Sequence, residues 1–198
     1  MANKDFYAKY MNLFLEENSR VNLISKNDEK YLWEKHIFDS LAFGNFYKKY
    51  IKEQKKLQLL DIGTGGGFPA LPIALTYPDI EVTALDSIGK KIRAVETIAR
   101  SLNLKNIHPL CMRAENLDKE FDIITSRAVS SLKNICGYAL PKLKKSGYFV
   151  AYKSRKAPEE IEEATPVLKK YNAKIIDIIE YDLPLEEKIT RNLIIISK

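Results

Sequence analysis

The chain has 198 residues, 45% of them hydrophobic and 29% charged, which excludes a disordered or fibrous chain and suits one folded domain. No run of eighteen apolar residues is present, so no membrane-spanning helix is expected, and the opening MANKDFYAKY lacks the apolar stretch of a secretory leader. The two cysteines, Cys111 and Cys136, stand far apart without metal-ligand spacing; neither a disulfide scaffold nor a metal site is expected, both side chains are expected to be buried, and the expected location is the reducing cytoplasm.

In chain order, residues 1–56 read as a helical extension. Phe6, Tyr10, Leu13 and Phe14 recur at helical spacing, and Leu32, Trp33, His36, Ile37, Ser40 and Leu41 repeat the pattern. No strand signal precedes Leu57. From there strands and helices alternate. LQLLDI is a strand, PALPIALTY a helix with prolines tolerated in its first turn, EVTALD a strand, and IGKKIRAVETIARSLNL a helix. NIHPLC and FDIITS are strands, SLKNICGYALPKL is helical to Ala139, GYFVAYKS is a strand, and PEEIEEATPVLKKYN a helix. KIIDIIEY and NLIIIS close the chain as two strands without a helix between them, hence an antiparallel hairpin. The expected fold is α/β: a seven-stranded, mostly parallel sheet over residues 57–198, with helices on both faces. No heptads and no large apolar stripe demand a dimer, so a monomer is expected.

The net charge of +6 is unevenly spread. Residues 127–157 carry eight basic side chains and no acid. Such a block suits a polyanion such as RNA, because each neutralised phosphate releases counterions; a solvated helix face is the plain alternative. Lys153, Arg155 and Lys156, after the fifth strand, are the expected phosphate contacts.

The segment Asp61-Ile62-Gly63-Thr64-Gly65-Gly66-Gly67-Phe68 follows the first strand and opens a helix. In an open parallel sheet, ligands bind beyond the carboxyl ends of the strands. The dinucleotide fingerprint fails at Phe68, where a third glycine is required, and no Gly-Lys-Ser/Thr ending marks a phosphate loop. Asp61 would repel a pyrophosphate and favour a cationic ligand, a profile that S-adenosylmethionine fits. Asp86 ends the second strand 25 residues later, placed to accept ribose hydroxyls.

The pattern D-x-G-x-G-x-G resembles the first motif of class I (Rossmann-like) methyltransferases, and the resemblance implies adenine contacts near Ala114 and Glu115. A sheet that ends in a hairpin is similar to the layout of that class. The pattern N/D-P-P-Y/F of enzymes acting on exocyclic amines is missing, and neither cysteine follows a proline as in pyrimidine-carbon enzymes. A ring nitrogen with its own lone pair remains, and it needs alignment rather than a base. The combination of Asn22-Leu23-Ile24, Lys35-His36-Ile37-Phe38-Asp39-Ser40-Leu41, DIGTGGGFPALPIA, LDSIGKK, AENL and SRAVSSL resembles the glucose-inhibited division protein B family. Those are the bacterial guanine-N7 methyltransferases of 16S ribosomal RNA in the small subunit.

The resemblance implies S-adenosylmethionine contacts at Gly63, Phe68, Asp86, Ser87, Ala114, Glu115 and Arg127, beside Asp61 and Gly65 of the loop. Arg127 at the fourth strand's end is expected to meet the cofactor carboxylate or an RNA group, with a surface salt bridge as the plain alternative, and His36 and Asp39 to shape the acceptor pocket or serve packing alone. Arg127 and His36 are thus positioning candidates, and no acid or base is assigned. Phe68 is expected either against the cofactor or in the packing of the loop, and Tyr148 and Tyr152 in the core rather than as stacking platforms for bases. A small-metabolite methyltransferase and a non-catalytic RNA-binding assembly factor are the alternatives.

Overall fold

The computed structural model describes residues 4–52, 56–154 and 157–198. A short turn leads into α1 (Ala8–Val21), whose Tyr10 and Phe14, four residues apart on one face, are buried. Phe6, just before it, stays exposed. Asn22 ends α1 with a left-handed φ of 56°. Asn18 organises the next segment: its Oδ1 accepts the Ile24 N–H at 2.8 Å and its Nδ2 donates to Glu29 at 2.7 Å. Ser25 caps the single turn α2 (Lys26–Glu29) by accepting the Asp28 N–H.

The stretch Leu32–Phe38 winds as a π-helix rather than the expected α-helix, and runs on into α3 (Asp39–Leu41) and α4 (Phe43–Tyr50). The Asp39 N–H bonds His36 O, and Lys35 O accepts from Arg127 at 3.1 Å. A wider turn of this kind commonly marks a functional position. It brings the Lys35 carbonyl and the side chains of His36 and Asp39 onto one guanidinium.

The strands are β1 (Leu57–Ile62), β2 (Ile80–Asp86), β3 (Ile107–Cys111), β4 (Phe121–Arg127), β5 (Leu143–Lys153), β6 (Lys174–Asp182) and β7 (Thr190–Ser197). They form one sheet in the order β3-β2-β1-β4-β5-β7-β6. β1 to β5 run parallel, and β7 lies antiparallel between β5 and β6. The expected hairpin is present, and its second strand is the inner one. β5 begins at Leu143, ahead of the expected Gly147, with a register shift opposite Phe121 and Ile123.

Four helices cross between strands: α5 (Ala70–Thr76), α6 (Gly89–Ser101), α7 (Leu132–Ala139) and α8 (Ala157–Lys170). Side chains along β1 alternate between two cores. Leu59 faces α5, α6 and the helices ahead of β1, whereas Leu60 and Ile62 face α7 and α8. Phe14, Phe43 and Phe46 are enclosed in the first core, and each such burial stabilises by about 1.5–3 kcal/mol. Tyr152 belongs to this core and Tyr148 packs against it, as expected. Cys136 is buried, and burial pushes its thiol up to about 12. Cys111 corrects the expectation: it sits exposed where β3 ends near the sheet edge.

Strand order reverses between β1 and β4. The carboxyl ends of these two strands therefore open a crevice between diverging connections, where α/β sheets bind ligands. The glycine loop leaves β1 at this point and Arg127 closes β4.

Candidate functional site

The loop after β1 is built from positive φ values at Gly63 (71°), Gly65 (56°) and Gly67 (91°). A side chain at Gly63 would place its Cβ 2.5 Å from Val129 Cγ2, and one at Gly67 would strike Leu71. The N–H groups of Gly63 and Thr64 donate to Leu85 O at 2.8 and 2.9 Å, which ties the loop to β2. Asp86 completes the tie: its Oδ2 accepts the Gly65 N–H and its Oδ1 the Ile88 N–H, each at 2.9 Å.

Beyond this loop lies a cavity of about 610 Å³, a size that holds a drug-sized ligand. Gly63, Gly65, Phe68, Asp86, Ser87 and Ala114 line it, and Glu115, His36 and Arg127 complete the set of expected residues in its wall. Ala114 and Glu115 sit in a 3₁₀ turn after β3. Leu23 and Ile24 arrive from the α1 end, and a Cβ on Gly66 would press on Leu23 and Phe14 at 3.1 Å. The exposed apolar side chains of Ile88, Val129 and Tyr138 also belong to this cavity.

Asp61 is the expected residue that the structure does not bring to the cavity wall. Its carboxylate is fully buried beneath the loop, with Oδ1 accepting from Thr125 Oγ1 at 2.8 Å and Oδ2 without a hydrogen-bond partner among the described residues. Burial pushes its pKa up to about 6, against the pull of the Thr64 and Thr125 hydroxyls and the Arg127 charge.

A second cavity, also of about 610 Å³, shares His36, Arg127, Ala128 and Val129 with the first. Arg127 is the hub of the common wall. Its Nη1 donates to Asp39 Oδ2 at 2.8 Å and to Lys35 O, and its Nη2 reaches His36 Nδ1 at 3.1 Å. The guanidinium also stands 5.1 Å over the Phe68 ring. Tyr181 of β6 donates to the other Asp39 oxygen at 2.7 Å. With side chains only 15% and 7% exposed, Arg127 and Asp39 form a buried pair that each keeps compensated. Arginine only donates, so His36 Nδ1 accepts and the proton resides on Nε2. Burial and the Arg127 charge hold the His36 pKa down at about 4, and the ring is neutral at pH 7. Phe68 lines the cavity, and its buried ring packs on Phe14 and His36.

The basic block divides in space. Lys142 immediately precedes β5, Lys144 and Lys145 lie near its start and Lys153 at its end, a separation that at about 3.3 Å per residue puts them at opposite ends of the sheet. Lys144 pairs with Asp122 at 3.0 Å. Lys153, expected to meet phosphate, has a side chain only 10% exposed, and its ammonium bonds Glu160 at 2.7 Å and Ser130 O at 2.6 Å. It clamps β5 to α8 and to the loop after β4. Arg155 and Lys156 lie outside the described residues. Sequence reasoning missed Tyr181 and Arg191, which enter the second cavity from the terminal hairpin; only the hairpin register, Tyr181 opposite Arg191, puts them there.

A glycine loop after β1, an acid ending β2, and this strand order with its reversed β7 define a class I, S-adenosylmethionine-dependent methyltransferase. The solved precorrin-6y C5,15-methyltransferase of Geobacter metallireducens superposes with a TM-score of 0.60 at 14% identity, covering 89% of this chain and 90% of its own. M. jannaschii TYW2, solved in complex with AdoMet, gives 0.59 at 15% identity over 79% of this chain and 74% of its own. At the level of sequence, the model of the rRNA small subunit methyltransferase G (GidB) family matches residues 3–184. The Ribosomal RNA small subunit methyltransferase G of Staphylococcus saprophyticus is 37% identical over 97% of this chain and 80% of its own length. This chain belongs to the rRNA small subunit methyltransferase G family.

Proposed function

We propose that this chain transfers a methyl group from S-adenosylmethionine to N7 of a guanine in 16S ribosomal RNA. The observation that carries the reading is the pair of cavities meeting at one wall: a glycine-loop cavity for the methyl donor and a second cavity for the acceptor, joined at His36, Arg127, Ala128 and Val129. Family membership supplies the enzyme class and the small-subunit ribosomal RNA. Among the described residues no helix is long and apolar enough to cross a membrane, and on this reading the enzyme acts as a monomer in the cytoplasm.

The residues present fit the cofactor. A carboxylate has about four lone-pair positions, and Asp86 uses two of them on backbone N–H groups. The remaining two would accept the ribose hydroxyls of the cofactor. Gly65 has only Gly63 O within 4 Å of where a Cβ would stand, so a ligand can approach its backbone. Asp61, buried one layer down, acts through its charge on a cationic ligand without touching it. When bound, S-adenosylmethionine supplies an electrophilic methyl on a sulfonium. Ser87, Ala114 and Glu115, beyond the ends of β2 and β3, would hold the nucleoside, and Phe68 lies toward the common wall, under Arg127 and beside His36.

The protein then needs to align rather than to remove a proton, since a purine N7 carries a free lone pair. His36 is unsuited as a base because its lone pair is committed to Arg127. It stays neutral, and Asp39 balances Arg127, so the common wall sets no uncompensated positive charge beside a base that becomes cationic. The segment ahead of β1 works as an extension whose described helices carry His36 and Asp39 to the site, and Arg127 is the positioning residue where the two cavities join. Mass mapping of ribosomal RNA from a deletion strain tests the reading. One guanine is expected to lose N7 methylation and regain it on complementation; full methylation in the deletion strain overturns it.

A further inference from the structure

Among the described residues, the charges lining the second cavity do not cancel. Three acids stand in its wall, and each is matched to one base: Asp28 to Lys35 at 3.1 Å, Asp39 to Arg127 at 2.8 Å, and Glu160 to Lys153 at 2.7 Å. His36 is neutral. Arg191 is the fourth base of the wall. Among the described residues its side chain has no ion pair and no hydrogen bond, and its Nε is enclosed without a partner.

Its placement is specific. Arg191 sits near the start of β7, directly opposite Tyr181 of β6. Side chains of directly opposed residues in an antiparallel pair share a face. Tyr181 reaches Asp39, the partner of Arg127. Arg191 therefore stands next to the common wall, on the side away from the glycine loop. A guanidinium half-enclosed without a counterion is costly, and its planar fork matches a phosphate with two parallel hydrogen bonds.

We propose that Arg191 anchors a backbone phosphate of the acceptor RNA strand in the second cavity. The inference rests on the proposed function and adds the residue that holds the RNA. Its contact is with phosphate, so it positions the strand and reads no base. The residues expected for this task in the basic block are either committed to an acid, as Lys153 is, or lie outside the described residues.

The experiment uses the full chain and unmethylated 16S RNA, free or in small subunits, whichever the wild type methylates. Binding is measured from about 50 to 200 mM salt, with KM for RNA alongside and S-adenosylmethionine affinity measured separately. Arg191→Gln is expected to make the slope of log affinity against log salt shallower by about one and to raise KM about tenfold. S-adenosylmethionine affinity is expected to stay within about twofold of wild type, since Arg191 is outside the first cavity. Arg191→Lys keeps the charge and is expected to restore the slope, which a role in packing alone would not produce. An unchanged slope in Arg191→Gln overturns the proposal, as does an Arg191→Lys slope no steeper than that of the glutamine variant. Should the wild type methylate neither form of the RNA, the proposed function itself falls instead.

Discussion

The two cavities have equal volume and share a wall, yet they are assembled in different ways. The first is made mainly of short stretches at the carboxyl ends of strands, 63–68 after β1, 86–88 after β2 and 112–115 after β3, with Leu23, Ile24 and His36 closing it from the N-terminal helices. The second gathers the π-helix, the end of β4, the end of β5, α8 and the terminal hairpin, segments up to 163 residues apart between Asp28 and Arg191. A site built from consecutive turns is carried by local backbone chemistry. A site built from distant elements depends on buried pairs that hold those elements together. The first kind tolerates change far from its loop, and the second fails when one pair is broken.

The largest expected effect breaks the wall itself. Arg127→Ala leaves Asp39 buried without its cation, and we predict a loss of about 3–5 kcal/mol in folding stability together with loss of methyl transfer. Urea unfolding measures the first and incorporation of labelled methyl the second. A variant with wild-type stability would show that the wall is not held by this pair. Arg127→Lys is expected to recover only part of the stability, because an ammonium cannot span Asp39, His36 and Lys35 O in one plane.

Next comes the first cavity alone. Asp86→Ala is expected to weaken S-adenosylmethionine binding by on the order of 2–4 kcal/mol while sparing RNA. Isothermal titration reads this, and an unchanged dissociation constant removes Asp86 from the site.

The buried carboxylate and the imidazole sharpen the contrast through pH. Asp61 titrates at about 6 in the folded chain against 3.8 in the unfolded one, so its ionisation costs stability as pH rises from 4 through 6. His36 titrates at about 4 against 6.5, so its protonation costs stability as pH falls from 6.5 to 4. Each contribution is about 3 kcal/mol at most and the two oppose each other in that window. Asp61→Asn removes one of them. Its stability at pH 7.5 should rise, its decline between pH 6.5 and 4 should steepen, and its affinity for the cationic cofactor should drop. Denaturant midpoints at pH 7.5, 5.5 and 4 decide; parallel curves for variant and wild type would contradict the pairing.

The smallest change is local. Gly63→Ala forces a side chain into left-handed φ and against Val129, at about 1–2 kcal/mol. Val129→Ala in the same chain should relieve the contact but not the φ cost, since the left-handed φ of 71° at position 63 is unchanged. Full recovery in the double variant would mean that φ at Gly63 contributes nothing.

Legibility in the sequence follows the same division. Hydrophobic alternation and the punctuating glycines and prolines placed the seven strands, because strand and helix periods are written in neighbouring residues. Gly63 and Asp86 were legible as cavity-wall positions because they stand at short distances from strand ends, whereas Ala114 was implied only by the resemblance. The π-helical winding of 32–38 was not, because nothing local distinguishes it from an α-helix; Lys35 O, His36 and Asp39 are gathered there onto a guanidinium 88 residues beyond Asp39. Lys153 looked like part of a basic face, since a one-dimensional count of charges ignores which strand end each side chain occupies and which acid lies across from it.

What the amino-acid order determined on its own was the alternation of elements, the glycine turn and the acid that ends the second strand, all set by interactions within a few residues. Only the tertiary structure decided that Arg127 is held by Asp39, that Lys153 is taken by Glu160 and that Arg191 is left over. Electrostatic pairing acts across space with a strength set by separation and burial, and neither quantity exists until the chain has folded.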